Sequence, residues 1–225
     1  MLFDLRSPGR RNVIKVVYVT LALLMGGGLV LFGIGGEVSG GVVDAITGSS
    51  GGDDGSDRFR EREERALAAT RADPNDATAW GELARARFQL ASVGDNFDPE
   101  TNAFTAAGRA KLEQATQAWE RHVEVADQPD DRLAGTMAQA YIELDRPAEA
   151  AEAQEIITEE RPRAAGAFAQ LAIYAYAAGQ TRRGDLARDR ALELTDRDQR
   201  DTLRTQLDQA RTQATQAPAT GADGG

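Results

Sequence analysis

The stretch MAQAYIELDRPAEAAEAQEIITEERP, Met137–Pro162, decides how this chain folds, because LAIYAYAAGQTRRGDLARDRALELTD, Leu171–Asp196, repeats its pattern 34 residues later. Met137 falls on Leu171, Ala138 on Ala172, Asp145 on Gly179, Ala150 on Gly184, Ile157 on Ala191 and Pro162 on Asp196; upstream, Ala134 falls on Phe168. Apolar residues recur at helical spacing within each copy, so each predicts two short helices joined by a turn. A repeat of this length marks stacked units, each leaving an apolar face that only its neighbour can cover.

Outward from this core the pattern stays helical from Arg58 to about Ala214, rich in Ala, Leu, Glu, Gln and Arg and almost free of strand-like alternation. An earlier pair is predicted at about 76–92 and 105–126, separated by VGDNFDPETNAF, residues 93–104. That connection is long for a helix pair. Its turn residues between Phe97 and Phe104 predict a small hairpin or Ω-type loop with both rings tucked onto the helices. Flanking helices are expected at 58–72, with Phe59, Ala66, Leu67 and Thr70 on one face, and at 197–214, with Leu203, Leu207, Ala210 and Ala214 on one face. Asp196 with Gln199 reads as a capping-box-like start to the latter. Their other faces are charged, as the end caps of a stack must be. About eight helices follow the N-terminal region.

These units resemble the tetratricopeptide repeat family, whose loose pattern is W-x2-L-G-x2-Y…A-x3-F…P. Trp80-Gly-Glu-Leu83-Ala84 matches the opening, Phe168-x2-Leu171-Ala172 matches it again with Gly179 at the turn, and Ala138-x2-Tyr141, Ala150 and Pro162 match the middle unit. Small residues such as Ala84, Ala138 and Ala172 let paired helices approach, and Trp80, Leu83, Tyr141, Phe168 and Leu171 fill the remaining space. The long insert departs from the family. The resemblance implies a concave protein-binding face lined by the first helix of each unit. Its expected residues are Arg85, Phe88 and Gln89, then Gln139, Ile142 and Glu143, then Ile173 and Tyr176. Some family members clamp a chaperone's C-terminal carboxylate with Lys and Asn on this face; only Arg85 and Gln139 stand near that role here.

The N-terminus adds a second theme. Val16–Ile34 is apolar and uncharged and reaches about 28 Å as a helix, the thickness of a bilayer core. Arg6, Arg10, Arg11 and Lys15 precede it, opposed by Asp4 alone, which predicts a cytoplasmic N-terminus and an outward remainder. The run is longer than a signal-peptide core and no A-x-A-like site follows it, so an anchor is expected, with a secreted form as the alternative if the segment is cleaved. The organisation is therefore a basic cytoplasmic stretch at 1–15, a transmembrane helix at 16–35, a Gly/Ser-rich acidic linker at 36–57, a helical domain at 58–214 and a disordered tail at 215–225. The fold class is all-α: a transmembrane helix followed by a short tetratricopeptide-like α-solenoid of antiparallel helix pairs.

Composition narrows the chemistry. The chain has no Cys, which excludes disulfides, thiolate catalysis and lipidated cysteine. Its net charge is −10, and no basic stripe with interleaved aromatics offers a nucleic-acid surface. The 24 Arg against 2 Lys fit a GC-rich bacterial genome. Gly26–Gly28 and Gly33–Gly36 do not fit a phosphate-binding loop and fall at the apolar span. His122 is the sole histidine, reads as packing, and has neither a positioned Ser nor zinc-ligand neighbours. Asp53-Asp54-Gly-Ser-Asp57 and Asp95-Asn96-Phe-Asp98 lack the Gly and distal Glu of an EF-hand. No enzyme, cofactor or metal site is expected. The expected function is a single-pass cell-membrane scaffold with its helical domain extracytoplasmic, binding an unidentified protein or peptide; a homo-oligomerising envelope module is the alternative.

Overall fold

Helix starts in this chain are set by side chains that accept the first free amide hydrogens. In the computed structural model, which describes residues 54–216, Asp76 accepts the amide of Ala79 at 3.1 Å, Thr105 that of Gly108 at 3.2 Å, and Asp130 those of Arg132 and Leu133 at 2.9 and 3.2 Å. The described residues are all-α, with eight helices and one two-stranded hairpin: α1 (Asp54–Ala72), α2 (Ala77–Ala91), a 3₁₀ turn (Gly94–Asn96), β1 (Phe97–Asp98), β2 (Ala103–Phe104), α3 (Ala106–Val125), α4 (Asp131–Glu143), α5 (Pro147–Glu160), α6 (Ala165–Ala177), α7 (Thr181–Leu194) and α8 (Arg200–Gln216). Among them no helix is long and apolar enough to cross a membrane. The expected span at 16–35, the basic stretch before it, the linker up to residue 53 and the tail beyond 216 lie outside the described residues.

The chain divides after Pro162 into two units. In the first, α1 to α5 pack chiefly on their neighbours in sequence. Leu83, Leu112, Leu133 and Met137 are at most 2% exposed, each contributing about 1.5–3 kcal/mol through burial. Ala84, Ala115, Ala134 and Ala138 are fully buried between them and set the close helix spacing. Trp80 is half-buried, its indole N–H bonded to the Pro74 carbonyl at 2.9 Å, with Arg121 over its ring. In the second unit α6, α7 and α8 pack on one another around Leu171, Ala172, Ala175, Tyr176, Ala191 and Leu207.

The repeat is visible residue by residue. α4 and α6 each span 13 residues and α5 and α7 each span 14, with every boundary 34 residues apart. The turns agree as well. Arg146 N–H bonds the Tyr141 carbonyl at 2.8 Å and Gln180 N–H bonds that of Ala175 at 2.8 Å; Asp145 N–H reaches Ile142 and Gly179 N–H reaches Tyr176 at 3.0 and 2.9 Å. Ala150 and Gly184 are both buried at the point where the second helix meets the first.

The insert forms a hairpin, pairing Phe97 with Phe104 and Asp98 with Ala103. The two rings meet edge to face at 5.4 Å, and Phe104 packs onto a cluster of Ala91, Leu112, Ala140 and Leu144. At the loop, Asp98 accepts the amide of Glu100 and the hydroxyl of Thr101.

Three boundaries differ from expectation, the simplest being that α8 runs to Gln216, so residues 215 and 216, expected in the disordered tail, are helical. α1 starts at Asp54 rather than Arg58, and Asp57 and Arg60 form an ion pair one turn apart at its beginning. α8 starts at Arg200 rather than 197: Gln199 N–H bonds the Asp196 carbonyl at 3.1 Å and Leu203 N–H bonds that of Gln199, so residues 196–199 form a turn and Gln199 precedes the helix.

Candidate functional site

Each first helix presents a stripe of residues spaced three and four apart. On α2 it holds Glu82, Arg85 and Gln89; on α4 it holds Thr136, Gln139 and Glu143. These two helices share the first unit and meet through Phe88, which packs on the cluster containing Ala140 and Leu144. The structure thus brings six of the eight expected residues onto α2 and α4. Ile173 and Tyr176 lie on α6 in the second unit.

Their environments separate them. Gln139 and Glu143 are exposed, and Gln89, Ile142 and Ile173 are half-buried. Arg85 is committed: it bonds Glu82 and, at 3.1 Å, the carboxylate of Asp130. Burial works against that carboxylate, but the Leu133 and Arg132 amides and the Arg85 charge outweigh it and hold Asp130 below the usual carboxylate range. Arg85 therefore anchors the start of α4. Phe88 is likewise spent on packing.

Tyr176 corrects the expectation of a solvent-facing ring. It is 1% exposed, and its ring lies where a Cβ on Gly184 would sit only 2.4 Å away. Its hydroxyl donates to Asp185 at 2.9 Å, and Arg211 holds the same carboxylate at 2.9 Å. Burial and the Asp185 acceptor raise the phenol well above its ordinary value.

Glu143 is crowded by its neighbours, which raises its carboxyl; Arg109 opposes this and Asp145 adds to it. Arg109 also bonds the Glu143 carbonyl and the Asp145 carboxylate, tying α3 to the α4–α5 turn. A second network joins the same elements: the Tyr141 hydroxyl donates to Glu120 at 3.1 Å, and Arg146 bridges Glu120 and Glu149 while covering the Tyr141 ring.

His122 is 6% exposed and makes two bonds with main chain, to the Ala77 carbonyl at 2.8 Å and from the Asp130 amide at 3.2 Å. A carbonyl only accepts and an amide only donates, so Nδ1 carries the proton and Nε2 accepts. The ring stacks on Trp119 at 5.2 Å. His122 is a three-helix fastener.

A second feature was not anticipated from the sequence. A cleft of about 460 Å³ opens between α1, the end of α2, the 3₁₀ turn and α3. Leu90 and Val93 line it, with Glu63, Glu64, Asp95 and Lys111 around them. The sequence signal was the insert itself, whose length exceeds what a helix turn requires.

Among the described residues no three His, Asp or Glu side chains gather as metal ligands would. No protein-family model matches the chain, and no curated protein does either.

Proposed function

We propose that this chain is a membrane-anchored scaffold of the tetratricopeptide type, which binds a protein or peptide segment at the outer face of the cytoplasmic membrane and performs no catalysis. The observation that carries the reading is the recurrence of a helix–turn–helix unit at 34 residues with matching boundaries and turn hydrogen bonds, the period of that repeat. Ordered stacks of this kind work by presenting side chains from successive first helices to a partner. The exposed Gln139 and Glu143, with the half-buried Gln89 and Ile142 beside them, are the contact residues on the first unit. Arg85 and Phe88 support that surface, and Tyr176 is spent on packing within the second unit.

The anchor reading rests on Val16–Ile34 and the basic residues before it. End-to-end self-assembly has less support. α1 turns Arg58, Glu61, Arg62 and Arg65 to solvent and α8 turns Asp201, Arg204 and Arg211, so both terminal helices carry polar outer faces.

Two measurements test the reading. Protease added to intact spheroplasts should remove the helical domain; protection until lysis overturns the sidedness. A photo-crosslinker at Gln139 in the full chain should capture a discrete protein that a crosslinker at the exposed Glu113 on α3 does not. Identical products from both positions overturn the binding face.

A further inference from the structure

We propose that the cleft between α1, the 3₁₀ turn and α3 is a separate docking site for a basic peptide segment of a partner protein. The insert at 93–104 builds its wall and holds it firmly. Asn96 donates its side-chain amide to the Leu90 carbonyl at 2.8 Å, Thr105 N–H bonds the Asn96 carbonyl at 2.9 Å, and the Thr105 hydroxyl bonds that of Asp95 at 2.9 Å. The wall is pressed so close to α3 that a Cβ on Gly108 would lie 2.0 Å from the Asn96 oxygen. The site is thus preorganised, and its occupant need not order it.

Charge identifies the occupant. The cations around the cleft already have partners: Lys111 and Arg87 share Glu63 at 3.0 and 3.1 Å, and Arg60 holds Asp57 at 2.6 Å. Glu64 and Asp95 line the cleft, are exposed, and have no cation among the described residues. The surrounding field has the same sign. Residues 54–162 carry 24 acidic and 13 basic side chains, whereas residues 163–216 carry 7 acidic and 9 basic. A cationic segment is steered to the first unit. Buried Leu90 and half-buried Val93 give the alkyl stem of a Lys or Arg an apolar surface, with its charged head at Glu64 and Asp95. The volume lies within the range of about 300–1,000 Å³ common to binding pockets and admits a short side-chain pair. This site is distinct from the α2–α4 stripe, so its failure leaves the preceding reading standing.

The test is fluorescence anisotropy of a labelled tetra-arginine peptide against the full chain in detergent at low salt, with tetra-glutamate as control. Glu64→Gln with Asp95→Asn should raise the Kd for tetra-arginine at least about fivefold, as expected for losing two exposed charge contacts. Glu152→Gln with Glu159→Gln removes the same charge from α5 and should change it by less than about twofold. Val93→Lys, which places a cation inside the cleft, should also block binding. Equal loss in both double variants, no loss in the cleft variants, or equal binding of tetra-glutamate overturns the proposal.

Discussion

Asp145 and Gly179 occupy equivalent points of the repeat, and both hold the backbone in the left-handed region, at φ 60° and 72°. The turn geometry is therefore a property of the repeat, and the two copies satisfy it with different residues. A Cβ at position 179 meets nothing within 4 Å, so Gly179→Ala tests the backbone term alone. It should lower stability by about 1–2 kcal/mol in urea denaturation. Asp145→Gly relieves the same strain but gives up the exposed pair with Arg109, worth about 0–1 kcal/mol, and should be near neutral or mildly stabilising. Unchanged stability in Gly179→Ala would mean that the turn can be made another way.

Gly108 differs from Gly166, although both are helical. At 108 a Cβ would overlap a main-chain oxygen that cannot rotate away, whereas at 166 nothing lies within 4 Å. Gly108→Ala should cost about 3 kcal/mol or more by forcing the 3₁₀ turn off α3. Gly166→Ala should be neutral or gain up to about 1 kcal/mol. Thermal unfolding of the two variants checks this, and equal midpoints would show that the 3₁₀ turn is not held at Gly108.

The helical periodicity and the 34-residue offset were legible because both are local patterns of apolar and small residues. Phe97, Phe104 and the turn residues between them left a hairpin and an Ω-type loop open, and the pairing of Phe97 with Phe104 makes it the hairpin. Burial of Tyr176 was not legible from helix face alone. It depends on the absence of a side chain at Gly184, eight positions away, where the other copy has Ala150. Arg85 is a related case: Glu82, three residues before it, is visible in the chain, but the Asp130 carboxylate through which it ties α2 to the start of α4 is 45 residues distant. The cleft needs α1 and the insert together, a long-range arrangement that neither segment encodes.

The two bonds made by His122 can be probed separately from its ring. His122→Phe keeps an aromatic surface for Trp119 but leaves the Asp130 amide without its acceptor. It should cost about 1–3 kcal/mol, the penalty for leaving a part-buried donor unpaired. Nitrogen-15 spectra of the wild-type ring should show the proton on Nδ1. A signal for the Nε2-protonated form would contradict the fastener.

The tyrosines predict where the fold yields to base. Burial pushes the Tyr174 phenol up to about 12, with Gln170 opposing the shift, and burial raises Tyr141 and Tyr176 further, aided by Glu120 and Asp185 respectively. An unfolded tyrosine ionises near 10. Below that pH both states hold the phenolic proton and stability is unaffected. Between about 10 and 12 the unfolded chain releases the proton and the folded chain keeps it, so stability falls as pH rises. Tyr174 alone should remove about 2–3 kcal/mol across that window. In a Tyr18→Phe background, which removes the one tyrosine outside the described residues, phenolate absorbance and circular dichroism followed together should therefore change in one step, with helix loss accompanying tyrosine ionisation. Tyr174→Phe should retain more helix at pH 11 than the wild type, and phenolate appearing at pH 10 with the helices intact would refute the coupling.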